Sequence, residues 1–147
     1  MKNSSISGFS HEVTKVLPVI MRHMIEKDGS AINKIGLTMV QMVAVHLLDD
    51  SGPLKMNEIA KALHISLPGA TGLIDRLYKL KMVKREFDET DRRIIRISLS
   101  LKGKKTVDMT KEMRRRNIED IFGKLTEKER KTYLEILNKI KNVIIKG

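Results

Sequence analysis

Residues 56–99 read MNEIAKALHISLPGATGLIDRLYKLKMVKREFDETDRRIIRISL, and they hold two helical patterns followed by two strand patterns. The first helical pattern runs from about Met56 to Leu63, with one apolar face. Ser66 can cap the second, which continues to about Leu80 and tolerates Pro68 in its first turn. Two short helices joined by about three residues are typical of a helix-turn-helix.

The second of these helices has the pattern of a DNA-reading helix. Its inner face is apolar, and its outer face is small at the start and basic at the end. The major groove of DNA, about 12 Å wide, accepts one α-helix. We therefore predict sparse base contacts and DNA binding by Ser66, Pro68, Gly69, Thr71, Gly72, Arg76 and Lys79.

Two glycines in this helix need a reason, because each costs about 1 kcal/mol of helix stability relative to alanine. Close packing against the preceding helix would explain Gly69 and Gly72. Close approach of the helix backbone to DNA would explain them equally well. The sequence leaves both interpretations open.

The two strand patterns, Met82 to Phe87 and Ile94 to Leu99, predict a β-hairpin with a polar loop over residues 88–93. Such a loop projects as a wing, and we expect Arg92 and Arg93 at its tip to reach a minor groove. Asp91 is expected to orient one of these arginines through a charge-assisted hydrogen bond. A solvated turn without function is the alternative.

The charge of the chain favours a polyanionic partner. Its 147 residues have a formal net charge of +11, and residues 76–116 contain 15 lysines and arginines against six acidic residues. Aromatic residues make up only 3% of the chain, too few for stacking single strands, so double-stranded DNA is the expected partner.

The flanking sequence predicts further helices around this lobe. Thr38 and Gln41 form a capping box that opens a nearly apolar helix ending near Asp50, and Ser100 can cap a long helix to Phe122. Thr126 and Glu129 form another capping box, which opens the last helix. A first helix begins near Phe9, and Pro18 should kink it or mark its true start. The predicted fold is mainly α with a small β-hairpin wing: a winged helix-turn-helix lobe over residues 37–102, with dimerisation helices over 9–27 and 103–145.

The terminal helices predict a homodimer. A lobe of about 65 residues cannot cover the apolar stripes of both the first and the last helix, so a second copy of the chain is expected. Packing of these helices on each other within one chain is the alternative.

Two stretches resemble MarR-type transcriptional regulators. They are Thr71 to Leu77, and the wing string Asp88-Glu89-Thr90-Asp91-Arg92-Arg93, which is followed by Ser100-Leu101-Lys102-Gly103. The resemblance implies a homodimeric winged-helix repressor or activator of a pseudo-palindromic operator. It also implies dimerisation through the first, fifth and sixth helices, and a small-molecule effector held between the dimer region and the lobe.

Two positions depart from the family pattern. Lys81 replaces the usual glycine after the reading helix, and Lys55 replaces a Ser or Thr cap. The cysteine that some members use to sense peroxide is absent, since the chain has no cysteine.

The remaining candidate sites are weaker. Met42 and His46, in the apolar second helix, are candidates for the pocket of an unidentified effector. His11, Glu12 and His23 are spaced by one and eleven residues, which does not make an i, i+4 pair, so we expect no metal site and no cofactor.

Other classes of function lack support in the sequence. No phosphate-binding loop or nucleophile motif is found, so an enzyme is not expected. No apolar run approaches the ~20 residues needed to cross a bilayer, so we expect a cytoplasmic protein without a membrane partner. The predicted function is a sequence-specific, ligand-responsive repressor. The alternative is a non-specific DNA packer or protein-interaction module, which would lack the ~10³-fold preference of a regulator for its operator.

Overall fold

The computed structural model of the chain describes residues 5–146. Its helices and strands are α1 (Ile6–Ile35), α2 (Met39–Ser51), α3 (Met56–Ala62), α4 (Leu67–Lys79), β1 (Val83–Phe87), β2 (Ile95–Leu99), α5 (Leu101–Phe122) and α6 (Glu127–Lys146). The chain divides into two compact units, Met1–Glu112 and Met113–Gly147. The predicted fold class, mainly helical with one antiparallel hairpin, is confirmed.

The hydrophobic core of the first unit lies among α2, α3, α4, the hairpin and the first half of α5. Its largest fully buried side chains are Ile59, Ile74, Leu77, Ile97, Val45 and Val107. The core therefore comes mainly from the segment predicted to form the winged helix-turn-helix lobe.

Both helices of the helix-turn-helix end in the same way. After α3, the His64 amide donates to the Lys61 carbonyl and the Ile65 amide to the Ala60 carbonyl. After α4, the Lys81 amide donates to the Tyr78 carbonyl and the Met82 amide to the Leu77 carbonyl. These are the paired bonds of a Schellman motif, which requires a left-handed residue after the helix. His64 (φ 53°) and Lys81 (φ 59°) occupy that position, where a side chain is disfavoured.

The hairpin is joined to the segment that precedes α3. Val83 pairs with Leu99 and Phe87 with Ile95 across the two strands. Leu54 adds an isolated bridge to Ile97, with both backbone hydrogen bonds formed. This bridge fixes the base of the hairpin against the helix-turn-helix.

The start of α5 packs closely against the end of α4. The Ser100 hydroxyl accepts from the Gly103 amide (3.0 Å), as predicted, and donates to the Lys81 carbonyl (2.6 Å). A Cβ atom on Gly103 would overlap the backbone carbonyl oxygen of Met82. Only glycine allows α5 to begin this close to the α4–β1 connection.

A nearly buried carboxylate joins α2 to α5. Asp49 accepts from the ammonium groups of Lys104 and Lys111, each at 2.7 Å. The hydrogen bond from Lys104, and then that from Lys111, lower the pKa of Asp49. The pair of lysines thus holds α5 on the lobe.

Helix α1 is longer than the sequence predicted. Pro18 lies inside it, so the interpretation that Pro18 marks its true start is wrong. The helix continues beyond residue 27 because Ile32 enters the lobe core, and it ends at Gly36 in the left-handed conformation.

The second unit contains the end of α5 and all of α6. Thr126 and Glu129 form the predicted capping box, and the rings of Phe122 and Tyr133 lie 5.1 Å apart. None of the described residues of α6 is buried. Its exposed apolar side chains are Tyr133, Leu134, Ile136, Leu137, Ile140, Val143, Ile144 and Ile145.

Within residues 5–146, no single helix has the length and apolar character needed to cross a membrane; only α1 and α2 taken together, bent by 86°, meet that criterion by length and composition.

Candidate nucleic-acid interface

Helix α4 carries the residues predicted to read DNA on the side away from the core. Ala70, Leu73, Ile74 and Leu77 are buried, and an α-helix turns by about 100° per residue, so the opposite side is the row Pro68, Gly72, Asp75 and Lys79. The predicted residues Ser66, Pro68, Gly69, Thr71, Arg76 and Lys79 are exposed, and Gly72 is half-buried. They lie along one side of α4.

The polar side chains at the start of α4 are bonded to the helix itself. The Ser66 hydroxyl caps the helix by accepting from the Gly69 amide (3.2 Å). The Thr71 hydroxyl donates to the Leu67 carbonyl (3.0 Å). A partner outside the helix therefore meets a small, weakly polar surface.

The two glycines of α4 differ. A Cβ on Gly69 would lie 3.1 Å from the Ser66 hydroxyl oxygen, whereas a Cβ on Gly72 would have no neighbour within 4 Å. Among the described residues, nothing packs against Gly72, so the interpretation of close packing against α3 is wrong there. Close approach of an outside partner stays a prediction for Gly72.

An ion pair links the outer side of α4 to β1. The Arg85 guanidinium donates to the Asp75 carboxylate and lies over the Tyr78 ring, 5.3 Å from its centroid. Sequence reasoning missed this pair. Arg85 offsets the one acidic charge on α4.

In the wing, Asp91 holds Arg93 as predicted. The Asp91 carboxylate accepts from Nε and a terminal nitrogen of Arg93, both at 3.0 Å, and also from the Arg93 amide. The Arg93 hydrogen bonds lower the pKa of Asp91, and the Asp91 carboxylate raises that of Arg93. The Arg93 side chain is nevertheless 91% exposed, so its charge is positioned and accessible.

A second aspartate, which sequence reasoning did not single out, organises the wing loop. Asp88 accepts from the Thr90 hydroxyl (2.6 Å), from the Thr90 and Asp91 amides, and from Arg96 Nε. The Thr90 hydroxyl and then Arg96 hold the pKa of Asp88 well below its usual range. The sequence did contain a signal for this arrangement, because an aspartate in a polar loop often accepts from main-chain amides two or three residues later.

The comparisons with known proteins agree with this architecture. Residues 37–95 match the model of the MarR family. The uncharacterized HTH-type transcriptional regulator YsmB of Bacillus subtilis is 26% identical over 131 residues, or 89% of this chain and 90% of YsmB. The similarity to the MarR family thus covers residues 37–95, from the turn before α2 to the start of β2.

Two further relatives from Bacillus subtilis match this chain over about half its length. The uncharacterized regulator YfiV is 41% identical over 78 residues, covering 53% of this chain and 49% of YfiV. The transcriptional repressor MdtR is 32% identical over 73 residues, covering 50% of this chain and 47% of MdtR. All three relatives are named transcriptional regulators and not enzymes, in agreement with the expectation of a regulator.

Solved structures share the fold. A MarR family protein from Bacillus stearothermophilus superposes with a TM-score of 0.86 at 22% identity, covering 97% of this chain and 99% of its own. A mutant of Staphylococcus aureus MepR bound to an oligodeoxyribonucleotide gives a TM-score of 0.72 at 23% identity. The match covers 89% of this chain and 96% of the MepR chain.

The residues predicted for an effector pocket lie in and beside the lobe core. Met42 is only 2% exposed, and His46 is half-buried with Nε2 3.0 Å from the Thr110 hydroxyl of α5. A ligand at Met42 would have to displace core packing, so this pocket stays a prediction.

Metal binding gains no geometric support from the part of the chain that the structure describes. Within residues 5–146, no three His, Asp or Glu side chains come together in a way that could hold a metal ion. His11, Glu12 and His23 all lie in α1.

Proposed function

We propose that this chain is a MarR-family regulator that binds double-stranded DNA with sequence specificity, as a homodimer at a pseudo-palindromic operator. The observation that carries the proposal is the combination of α4, with its small outer row, and a wing whose Arg93 is positioned by Asp91. In this arrangement α4 enters the major groove and Arg93 the flanking minor groove. The DNA-bound MepR mutant, which has the same fold, supports this assignment.

The exposed apolar faces of α1 and α6 support a second copy of the chain as partner. Phe9, Leu17 and Ile20 on α1, and Leu137 and Ile140 on α6, are exposed in the single chain. Burial of such faces is the main driving force of association. Sedimentation at micromolar concentration should show a dimer, and a single 16.8 kDa species would contradict the proposal.

We further propose a cytoplasmic repressor whose binding responds to a small molecule. The relative MdtR is named a repressor, which supports repression over activation. A groove along α5, lined by Leu101, Lys102, Lys105, Thr106 and Met109, supports an effector with an apolar body and a negative charge. Such an effector acts only if it binds the two states of the dimer with different affinities.

Selection of bound duplexes from a random pool tests the function. A regulator enriches one pseudo-palindromic motif and binds it ~10³-fold more tightly than a scrambled duplex, with affinity that falls steeply as salt rises. Repeating the selection with aromatic carboxylates tests the effector. A pool without any enriched motif would instead indicate a non-specific packer or a protein-interaction module.

A further inference from the structure

The outer half of the wing extends beyond the lobe core. Ile97 of β2 is 1% exposed, but two residues further out Ile95 is exposed, and its partner Phe87 on β1 is 68% exposed. Core packing therefore ends near Ile97. Polar contacts must fix the direction of the wing beyond that point.

Arg96 supplies such contacts. Its guanidinium donates to Asp88 at the base of the wing loop and to the Pro53 carbonyl (3.4 Å), and lies 4.0 Å from the Glu58 carboxylate. Pro53 precedes α3, and Glu58 lies in the first turn of α3. One side chain thus connects the wing loop to the first helix of the helix-turn-helix.

Asp88 connects this brace to the tip of the wing. Its side chain is only 10% exposed. One carboxylate oxygen accepts from Arg96, and the other accepts from the hydroxyl and amide of Thr90 and from the amide of Asp91. Asp91 in turn holds Arg93. The contacts run without a break from α3 to Arg93.

We propose that Asp88 and Arg96 are positioning residues, which set the direction of the wing and thereby the reach of Arg93 into the minor groove. This inference rests on the proposed function. Arg96, although one of four arginines in residues 83–99, is turned toward the lobe and acts through Arg93. Fixing the wing during folding spares the complex the entropy cost of ordering it on DNA.

The change in net charge distinguishes a positioning role of Asp88 from a general electrostatic effect on DNA affinity. Asp88→Asn keeps an oxygen for the Thr90 and Asp91 amides but removes the charge that holds Arg96. It makes the chain more positive, which by itself strengthens DNA binding. Lower affinity of Asp88→Asn is therefore a result that charge alone cannot produce.

The test is a double-mutant cycle on the duplex selected from the random pool. We expect Arg93→Ala to lower affinity about tenfold in the wild-type chain, but less than about threefold when Asp88→Asn or Arg96→Lys is also present. Asp88→Asn alone should lower affinity about fivefold. Arg96→Lys keeps the charge and tests the same brace should Asp88→Asn fold poorly.

The matched control is Lys84→Met, because Lys84 lies on the same face of the hairpin as Arg96 and is exposed. In a chain that carries Lys84→Met, Arg93→Ala should still lower DNA affinity about tenfold. Equal effects of Arg93→Ala in all backgrounds, or tighter binding by Asp88→Asn, would overturn the inference while the regulator assignment stands. A random duplex pool in which no motif is enriched would overturn both this inference and the regulator assignment.

Discussion

The wing and helix α4 present basic side chains in opposite ways. In the wing, Arg93 is held by Asp91, and Arg96 by Asp88. On α4, Arg76 and Lys79 are exposed and make no described hydrogen bond through their side chains within residues 5–146. The wing therefore carries charge that hydrogen bonds hold in place, whereas α4 offers a small surface whose charges, at its end, have no described hydrogen-bond partner.

The largest expected effect comes from a change that breaks the connection between these two regions. Gly103→Ala places a methyl group on the Met82 carbonyl, where α4 passes into β1. We expect a loss of about 3 kcal/mol in the free energy of unfolding, measured by urea denaturation. Gly29→Ala, in α1 with no neighbour within 4 Å, is the control and should stabilise by about 1 kcal/mol.

Gly72→Ala tests whether α4 makes a close approach to DNA. The added methyl group meets nothing in the free protein, so stability should rise by about 1 kcal/mol. Affinity for the selected duplex should fall about fivefold, because the methyl group separates helix and base edges. Unchanged or tighter binding, measured by fluorescence anisotropy, would exclude close approach at this position.

Lys81→Gly should change the stability of the fold and leave DNA binding unchanged. Lys81 has φ 59° in the Schellman motif that ends α4, a conformation that glycine adopts without strain. Thermal unfolding should show a gain of about 1 kcal/mol. The salt dependence of DNA binding should not change; a flatter dependence would mean that Lys81 contacts phosphate.

The smallest expected effect is that of Lys79→Gln on the outer row of α4. A mobile ammonium that contacts phosphate adds affinity without sequence preference. We expect a loss of about threefold, equal for selected and scrambled duplexes, with a salt slope reduced by about one. A loss confined to the selected duplex would instead assign Lys79 a base contact.

The sequence predicted what local chemistry determines. The capping boxes at Thr38 and Thr126 set two helix starts, and the Asp91–Arg93 pair joins residues two apart. Lysine in place of the usual glycine at Lys81 indicated either a strained helix end or a different one, and the structure has the left-handed backbone there.

What the sequence did not predict depends on tertiary packing. The Asp88–Arg96 and Asp75–Arg85 pairs join residues eight and ten positions apart. Their contacts depend on the register of the hairpin and its angle to α4, which no local pattern gives. The end of α1 was missed because its polar segment before Ile32 resembles a loop, and only burial of Ile32 in the lobe core shows that the helix continues.

Footprinting on the selected duplex tests the central claim most directly. A homodimer with α4 in the major groove and Arg93 in the minor groove predicts two protected major-groove segments about one helical turn, roughly 34 Å, apart. A protected minor-groove segment should flank each on the outside, and Arg93→Ala should remove those two alone. Uniform protection along the duplex, or a single protected half-site, would contradict the account.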